Sequence, residues 1–360
     1  MKPHTETRNI QSLDGLRAVS IVLVIINHIC TAFSVNRTYG GAILGNGSLG
    51  VIVFFIISGY LVTHFLLREF SRDGQINLRR FYIGRALHIL PPYYFYLFVI
   101  GTAAILGFLP ITRAQFAGPF LFLGDYFPIV KAWPLEHLWW VSVSEQFYIL
   151  WPAVLVLCLR RSRRFACFLA AIIIICCPVL RSLTYLTHSS YSTQLYYMLH
   201  TRMDSLLFGC FVAIAQGEAW FEAAYRRFSS YIYPMIIFAF LVSPLLALRF
   251  RGTYIFIVGY SAEGFCIAFS MLWLTRNPQS AIGKVLNWEP IKQVGIMSYS
   301  LYIWQTIFLS NQNSSLLARY PFNLAVVVVF AAFSYLAIET PSLALKKRFF
   351  TSKATTMMPS

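Results

Sequence analysis

The sequence predicts an all-α, polytopic transmembrane helix bundle of about ten spans with no soluble domain, and three observations support this. The 360 residues are 58% hydrophobic and only 12% charged, whereas soluble domains average roughly 45–50% and about 25%. Several apolar runs reach the roughly 20 residues that a helix needs to cross a bilayer. These runs are continuous rather than alternating, which favours helices over a transmembrane barrel.

The longest predicted outer loop covers about 110–136. The first apolar run has no convincing cleavage site, so we interpret it as a retained helix rather than a secretory signal. We predict one domain over residues 1–360, with the bundle at about 10–345 and a short basic cytoplasmic tail at 346–360. The predicted spans are 16–35, 48–67, 88–109, 137–158, 165–181, 195–215, 231–248, 254–275, 294–311 and 322–343.

The distribution of Lys and Arg predicts the orientation of the chain. Of the 29 basic residues, 20 fall on the side of the N-terminus, 7 on the opposite side and 2 within spans. Because basic residues gather in cytoplasmic loops, both termini are predicted to be cytoplasmic, in an inner or plasma membrane. Topology therefore explains the net charge of +16 better than nucleic-acid binding does. The seven cysteines lack zinc-ligand spacing, and no metal site is predicted.

Three polar residues of the first span are the first candidates for a functional site. Arg17 and His28 are 11 residues apart, which is about 20° from three full helical turns, so their side chains share one face. The rise between them is roughly 16 Å. Asp14 lies one turn before Arg17, close enough to pair with it. Charged groups within a bilayer mark functional sites by default, but a snorkelling Arg and a hydrogen-bonded His are an equally weighted alternative.

Two further clusters place polar residues within spans. His137 and Glu145 belong to the segment HLWWVSVSEQFYILWP, where the carboxylate requires a partner or an aqueous cavity. Arg202 and Asp204 are two residues apart, so they point in different directions and are expected to reach different neighbouring helices. Structural ion pairing remains an alternative for both clusters. Small residues at both ends of Gly50–Gly59 are interpreted as helix-packing positions.

A basic segment precedes the third span. Arg79, Arg80 and Arg85 suit a phosphorylated cytoplasmic ligand, since guanidinium groups bind phosphate well. Ordinary positive-inside charge is the alternative. Pro91 and Pro92 are expected to break or kink the helix near its start.

The order of these clusters resembles the membrane acyltransferase-3 family, and the resemblance covers nearly the whole chain. The first block carries the family's Arg, ten residues, His motif at Arg17 and His28. The matching segments are Ser12–His28, Gly50–Leu61, Arg79–Tyr94, His137–Pro152, Thr201–Cys210, Val294–Gln305, and Glu339 with Pro341.

The resemblance implies an integral membrane O-acyltransferase without a bound cofactor. Its co-substrate would be an acyl-CoA, with acetyl-CoA favoured, and its acceptor a hydroxyl of a carbohydrate or glycolipid in the cell envelope. His28 would act as general base or carry the acyl group covalently. Asp14, Arg17 and Glu145 would complete the catalytic set. The implied substrate-binding residues are Arg79, Arg80, Arg85, His137, Arg202 and Asp204.

Four positions depart from the family pattern. Ile52 stands where an acidic residue is usual, His88 where Arg is usual, and Gln305 where His is frequent. Ser144 occupies the usual position of a Glu, and the displacement to Glu145 turns that carboxylate about 100° around the helix.

Two other classes of function fit parts of the sequence. A transporter of acyl or glycan-lipid cargo would also use intramembrane charges, although we find no internal repeat. An inactive membrane scaffold is a third interpretation, raised by Ile52 and Ser144. The chain resembles a standalone transmembrane form of the family, and the acceptor, acyl length and oligomeric state stay open.

Overall fold

The computed structural model describes residues 10–35, 38–127, 132–188, 190, 192–309 and 319–355, and these contain helices but no strand. The helices are α1 Leu13–Ala32, α2 Tyr39–Leu44, α3 Gly47–Asp73, α4 Leu78–Ile105, α5 Arg113–Phe120, α6 Trp133–Glu136, α7 Trp139–Arg161, α8 Arg163–Thr187, α9 Ser192–Tyr197, α10 Leu199–Ala215, α11 Ala219–Ser229, α12 Ile232–Ile237, α13 Ser243–Tyr254, α14 Tyr260–Arg276, α15 Ala281–Leu286, α16 Glu289–Ile296, α17 Ser298–Phe308, α18 Phe322–Ser334 and α19 Thr340–Thr355. Short π-helical segments occupy Phe238–Val242, Ile255–Gly259 and Tyr335–Glu339.

The chain divides into two compact units. The first comprises the residues up to Arg68 together with Leu155–Ser298. The second comprises Glu69–Val154 and the residues from Tyr299 onward. Helices α3 and α7 belong partly to each unit. The prediction of a single domain over the whole chain stays a prediction.

The predicted polytopic helical membrane fold is confirmed. Among the described residues, eight helical runs are long and apolar enough to cross a membrane. One of them, Ile232–Arg276, covers two predicted spans, and its backbone leaves helical geometry at Arg251 (φ 51°, ψ −134°). The predicted span at 294–311 corresponds to α17, and its last two residues lie outside the described part of the chain. About ten spans is therefore consistent with the structure.

The third predicted span, 88–109, was placed too late along the chain. Helix α4 already begins at Leu78, where the Asn77 side chain accepts a hydrogen bond from the Arg80 amide at 2.9 Å. The basic segment therefore lies on the helix rather than in a loop. The helix also continues through Pro91 and Pro92, because membrane helices can satisfy the freed backbone groups with neighbouring atoms. Of the predicted break or kink, the break is therefore wrong, and the kink stays a prediction.

Close backbone packing forms the core of the first unit. Helix α3 is buried along most of its length, and a Cβ atom added at Gly59 would clash with the carbonyl group of Leu206 on α10. A Cβ atom at Gly209 would likewise clash with the carbonyl group of Ile56 on α3. Glycine at both positions lets the two helices approach closely. The packing interpretation of the Gly50–Gly59 segment is confirmed.

Candidate functional site

The polar face of α1 belongs to the first unit. Asp14 and Arg17 form an ion pair with 2.8 Å between Oδ1 and Nη1, as predicted from their spacing. His28 lies on the same helix and is half-buried. Its neighbour Asn27 packs against Gly47 at the start of α3. The end of α1 that carries His28 therefore lies beside the beginning of α3.

Two glycines fix the N-terminal turn of α1 against the helices α15 and α16. A Cβ atom at Gly295 would clash with the carbonyl group of Asp14, and one at Gly15 would clash with the carbonyl group of Leu286. Ser12 precedes the helix with a left-handed backbone (φ 71°), and its amide donates to the Asn287 side chain at 2.8 Å. The position of Asp14 is therefore set by backbone contacts rather than by flexible side chains.

A polar cavity of about 440 Å³ opens at this end of α1. It has two lysines, one carboxylate and several neutral polar groups in its wall. The lining residues are Ile10, Gln11, Ser12, Asp14, Pro278, Gln279, Lys284, Asn287 and Lys292. By the predicted orientation, this is the cytoplasmic end of the helix. The sequence did not predict the cavity, because its wall comes from two segments more than 260 positions apart.

A second polar cluster of the first unit surrounds Asp204 on α10. Its Oδ2 atom lies 3.1 Å from Nη1 of Arg181 on α8 and accepts a hydrogen bond from the Ser261 hydroxyl at 2.7 Å. Arg181 also donates to the carbonyl groups of Phe256 at 2.8 Å and Thr201 at 2.6 Å. Both charged side chains are fully buried. Asp204 therefore takes part in a saturated network joining α8, α10 and α14.

Arg202 makes none of the hydrogen bonds of that network, although both Arg181 and Arg202 lie over the ring of Tyr260. Its guanidinium carbon lies 3.8 Å from the ring centre of Tyr260 and 5.5 Å from that of Tyr196. The side chain is fully buried, and none of its three nitrogens has a hydrogen-bond partner within the described part of the chain. The expectation that Arg202 and Asp204 point in different directions agrees with this geometry.

Sequence reasoning missed two charged groups of this cluster. Arg181, at the end of the predicted span 165–181, was not considered as a site residue, but it lies within α8 and is fully buried. Glu263 on α14 was overlooked. Its Oε1 atom accepts a hydrogen bond from Ser243 at 2.7 Å, and it interacts electrostatically with Arg202. An acidic residue in the middle of an apolar span was the signal that could have identified it.

The second unit contains the other predicted carboxylate. Glu145 is 8% exposed, and its Oε1 atom has no hydrogen-bond partner among the described residues. Arg85 interacts with it electrostatically and stacks its guanidinium group over the Tyr148 ring, 3.6 Å from the ring centre. Ser144, at the preceding position, is also buried. The structure therefore associates Glu145 with Arg85 inside this unit, and a role for Glu145 beside His28 stays a prediction.

The remaining predicted residues of the second unit differ in their surroundings. His137 is buried with both ring nitrogens engaged on α17, by the Ile303 carbonyl group at 3.0 Å and the Thr306 hydroxyl at 2.9 Å. Arg79 and Arg80 are exposed at the start of α4. Substrate binding by these three residues stays a prediction, and the contacts of His137 in this structure are those of a packing residue.

Comparison with known proteins shows to which family this chain belongs. The sequence profile of the acyltransferase-3 family, described as an acyltransferase domain, matches residues 10–338. The chain belongs to this family. Its acyltransferase domain is 28% identical over 382 aligned residues to the O-acetyltransferase OatA of Staphylococcus aureus strain NCTC 8325 / PS 47, and equally to OatA of strain COL. Each alignment covers 98% of this chain and 59% of the relative.

The chain thus spans about 59% of the length of these curated relatives. No solved structure gives a significant match to it. Among the described residues of this acyltransferase domain, no group of three or more His, Cys, Asp or Glu side chains could hold a metal ion.

Two departures from the family pattern have a structural setting in the acyltransferase domain. His88, where the family usually has Arg, lies 3.4 Å from Oε1 of Glu339, whose other oxygen accepts from Ser300 at 3.0 Å. Ile52, where the family usually has an acidic residue, is fully buried in α3. His88 provides a cationic partner for Glu339 when its imidazole is protonated. Ile52 carries no charge, so the acidic group that is usual at its position is missing.

Proposed function

We propose that this acyltransferase-3 protein is an integral membrane O-acyltransferase. It moves an acyl group, with acetyl favoured, from a CoA-type donor to a hydroxyl of a carbohydrate or glycolipid of the cell envelope. Family membership over residues 10–338 and the O-acetyltransferase names of the relatives support the reaction class. The single structural observation that carries the proposal is the face of α1, where the Asp14–Arg17 pair precedes His28 by three turns.

The proposed chemistry assigns one proton transfer to His28. Its neutral imidazole accepts the proton of the acceptor hydroxyl while the hydroxyl oxygen attacks the thioester carbonyl carbon. The tetrahedral intermediate then collapses with cleavage of the carbon–sulfur bond. The thiolate of CoA leaves and takes up a proton, and the acyl group remains on the acceptor oxygen as an ester. Asp14 holds Arg17 toward the donor.

The bias of Lys and Arg supports a cytoplasmic donor side, with both termini in the cytoplasm. In that orientation Arg17 lies toward the cytoplasm and His28 lies deeper. An acyl group delivered from a cytoplasmic CoA would meet these residues in that order. The exposed Arg79 and Arg80 of α4 would face the same compartment as the donor.

A transfer assay separates this proposal from transport. The full chain, in membrane vesicles that also contain cell-envelope glycans as acceptor, is supplied with acetyl-CoA carrying a radiolabel in the acetyl group, and free thiol and labelled products are measured. We expect release of the CoA thiol together with chemically transferred label. Label that crosses the vesicle wall as intact donor, without thiol release, would indicate a transporter. If neither thiol release nor transport of label is observed, the result indicates an inactive scaffold.

A further inference from the structure

We propose that the cavity at the N-terminal end of α1 binds the phosphate groups of the CoA-type donor, with Lys284 as the principal cation. The pantetheine arm would then run parallel to α1 toward the level of His28. This inference rests on the proposed function and assigns the donor a location that the motifs of the chain do not mark.

The cavity has the size of a ligand site, and its wall is mostly polar. Its volume of about 440 Å³ falls within the roughly 300–1,000 Å³ typical of small-molecule sites. Lys284 lines it and has no ion-pair partner within the described part of the chain. Lys292, also in the wall, lies 2.6 Å from Glu289. A cation without a competing carboxylate is the group that a phosphate would bind.

The one carboxylate in the wall does not oppose an anionic ligand. Asp14 is neutralised by Arg17 at 2.8 Å and Lys292 by Glu289 at 2.6 Å, so the charge of the wall is set by Lys284. Neutral hydrogen-bonding groups complete the site. Asn287 is held in place by the Ser12 amide at 2.8 Å and donates to the Ser12 hydroxyl at 2.9 Å and to the Gly283 carbonyl group at 2.7 Å. The wall is therefore preorganised.

The distance from the cavity to His28 fits the donor. Asp14 lines the cavity, and the 14 residues from Asp14 to His28 rise roughly 21 Å along the helix. An extended pantetheine arm, which separates the phosphates of CoA from its thioester, has a comparable length. The same 14 residues turn the helix to within about 40° of four full turns, so both side chains lie on one face. Phosphates in the cavity would thus place the thioester near His28.

Lys284→Gln is the variant that tests the site, and Arg227→Gln on α11 is the matched control. Arg227 is an exposed cation of the same unit, on the same predicted side of the membrane. Each full chain is placed in nanodiscs of zwitterionic phosphatidylcholine, and the Kd values for CoA and for dephospho-CoA are measured. We expect Lys284→Gln to weaken CoA binding about tenfold, which corresponds to one charge-assisted hydrogen bond. Lys284→Arg and Arg227→Gln should bind like the original chain.

Measurements with CoA and with added phosphatidylglycerol distinguish two possible sources of the bound phosphate, the CoA donor and a lipid headgroup. If Lys284 binds the donor, its substitution weakens CoA binding in zwitterionic nanodiscs and lowers the thiol-release rate at limiting acetyl-CoA. If the substitution changes only the response to added phosphatidylglycerol, the site binds lipid headgroups and the inference is overturned. It is also overturned if Lys284→Gln and Arg227→Gln have equal effects. An original chain that neither binds CoA nor cleaves acetyl-CoA would instead refute the proposed function.

Discussion

Arg181 and Arg202 are both fully buried in the same unit, yet their hydrogen bonding is opposite. Arg181 donates to two backbone carbonyl groups, to Asp204 and to the Ser261 hydroxyl. Arg202 has no hydrogen-bond partner among the described residues and lies over the Tyr260 ring. A buried polar group without a partner is costly, so we expect Arg181 to have a structural role, and ligand binding by Arg202 stays a prediction.

We therefore expect different consequences from Arg181→Gln and Arg202→Gln. The first leaves Asp204 without its cation and should lower the free energy of unfolding by about 3–5 kcal/mol. The second removes the contact with Tyr260 and the electrostatic interaction with Glu263 but no hydrogen bond, so we expect it to cost less than Arg181→Gln while lowering acyl transfer at least tenfold. Thermal unfolding in detergent and thiol release from acetyl-CoA measure the two effects. Equal destabilisation by both changes would contradict the assignment.

Gly295→Ala tests the docking of α1. The added methyl group would clash with the carbonyl group of Asp14, so α1 must shift, at a cost of about 1–3 kcal/mol. The rate of acyl transfer should also fall, because the shift of α1 moves Asp14 and Arg17. Gly40→Ala on α2 is the control, since an added Cβ atom there meets nothing within 4 Å. The account fails here if the two variants unfold at the same temperature.

Asp14→Asn tests whether Asp14 orients Arg17 for donor binding or mainly stabilises the fold. Arg17 is 33% exposed in its ion pair with Asp14, so losing the pair should cost below about 1 kcal/mol. We expect KM for acetyl-CoA to rise several-fold as Arg17 loses its fixed position. Asp73→Asn is the control, because the exposed Arg72–Asp73 pair has the same 2.8 Å separation. Unchanged kinetics for Asp14→Asn would show that this pair has no role in donor binding.

The pair of Glu222 and Arg276 predicts a dependence of stability on pH. Two hydrogen bonds from Arg276, at 2.7 and 2.8 Å, lower the pKa of Glu222 from 4.5 to about 2. Because the folded-state pKa is depressed, this stabilisation is fully present above pH 4.5 and is lost as the pH falls toward 2. Glu222→Gln should lower the unfolding temperature near pH 7 but not near pH 2. A difference that is constant over this range would contradict the prediction.

The sequence predicted the spans well because each depends on local hydropathy. It also predicted the break near Arg251, where two basic residues interrupt an apolar run. Helix α4 was the exception. Arg79, Arg80 and Arg85 lowered the local hydropathy, but they did not end the helix. The mean hydropathy over a window of residues cannot distinguish a charged helical turn from a loop.

The site was less accessible to sequence reasoning. The Asp14–Arg17 pair followed from helical spacing, because its two residues are one turn apart. The partners of Arg181 are 20 to 80 positions away along the chain, and no local pattern encodes them. The cavity beside Asp14 likewise depends on the approach of α15 and α16 to α1, which Gly15 and Gly295 permit.

The most direct test of the central claim is acyl transfer by His28→Ala. Membranes with equal amounts of folded protein are supplied with acetyl-CoA labelled in the acetyl group, and ester-linked label in the glycan fraction is measured. His64→Ala on α3 is the matched control, since His64 belongs to the same unit and stacks on Tyr60. We predict that His28→Ala loses at least about 100-fold in rate while His64→Ala retains activity. Transfer by folded His28→Ala at the original rate would contradict the account.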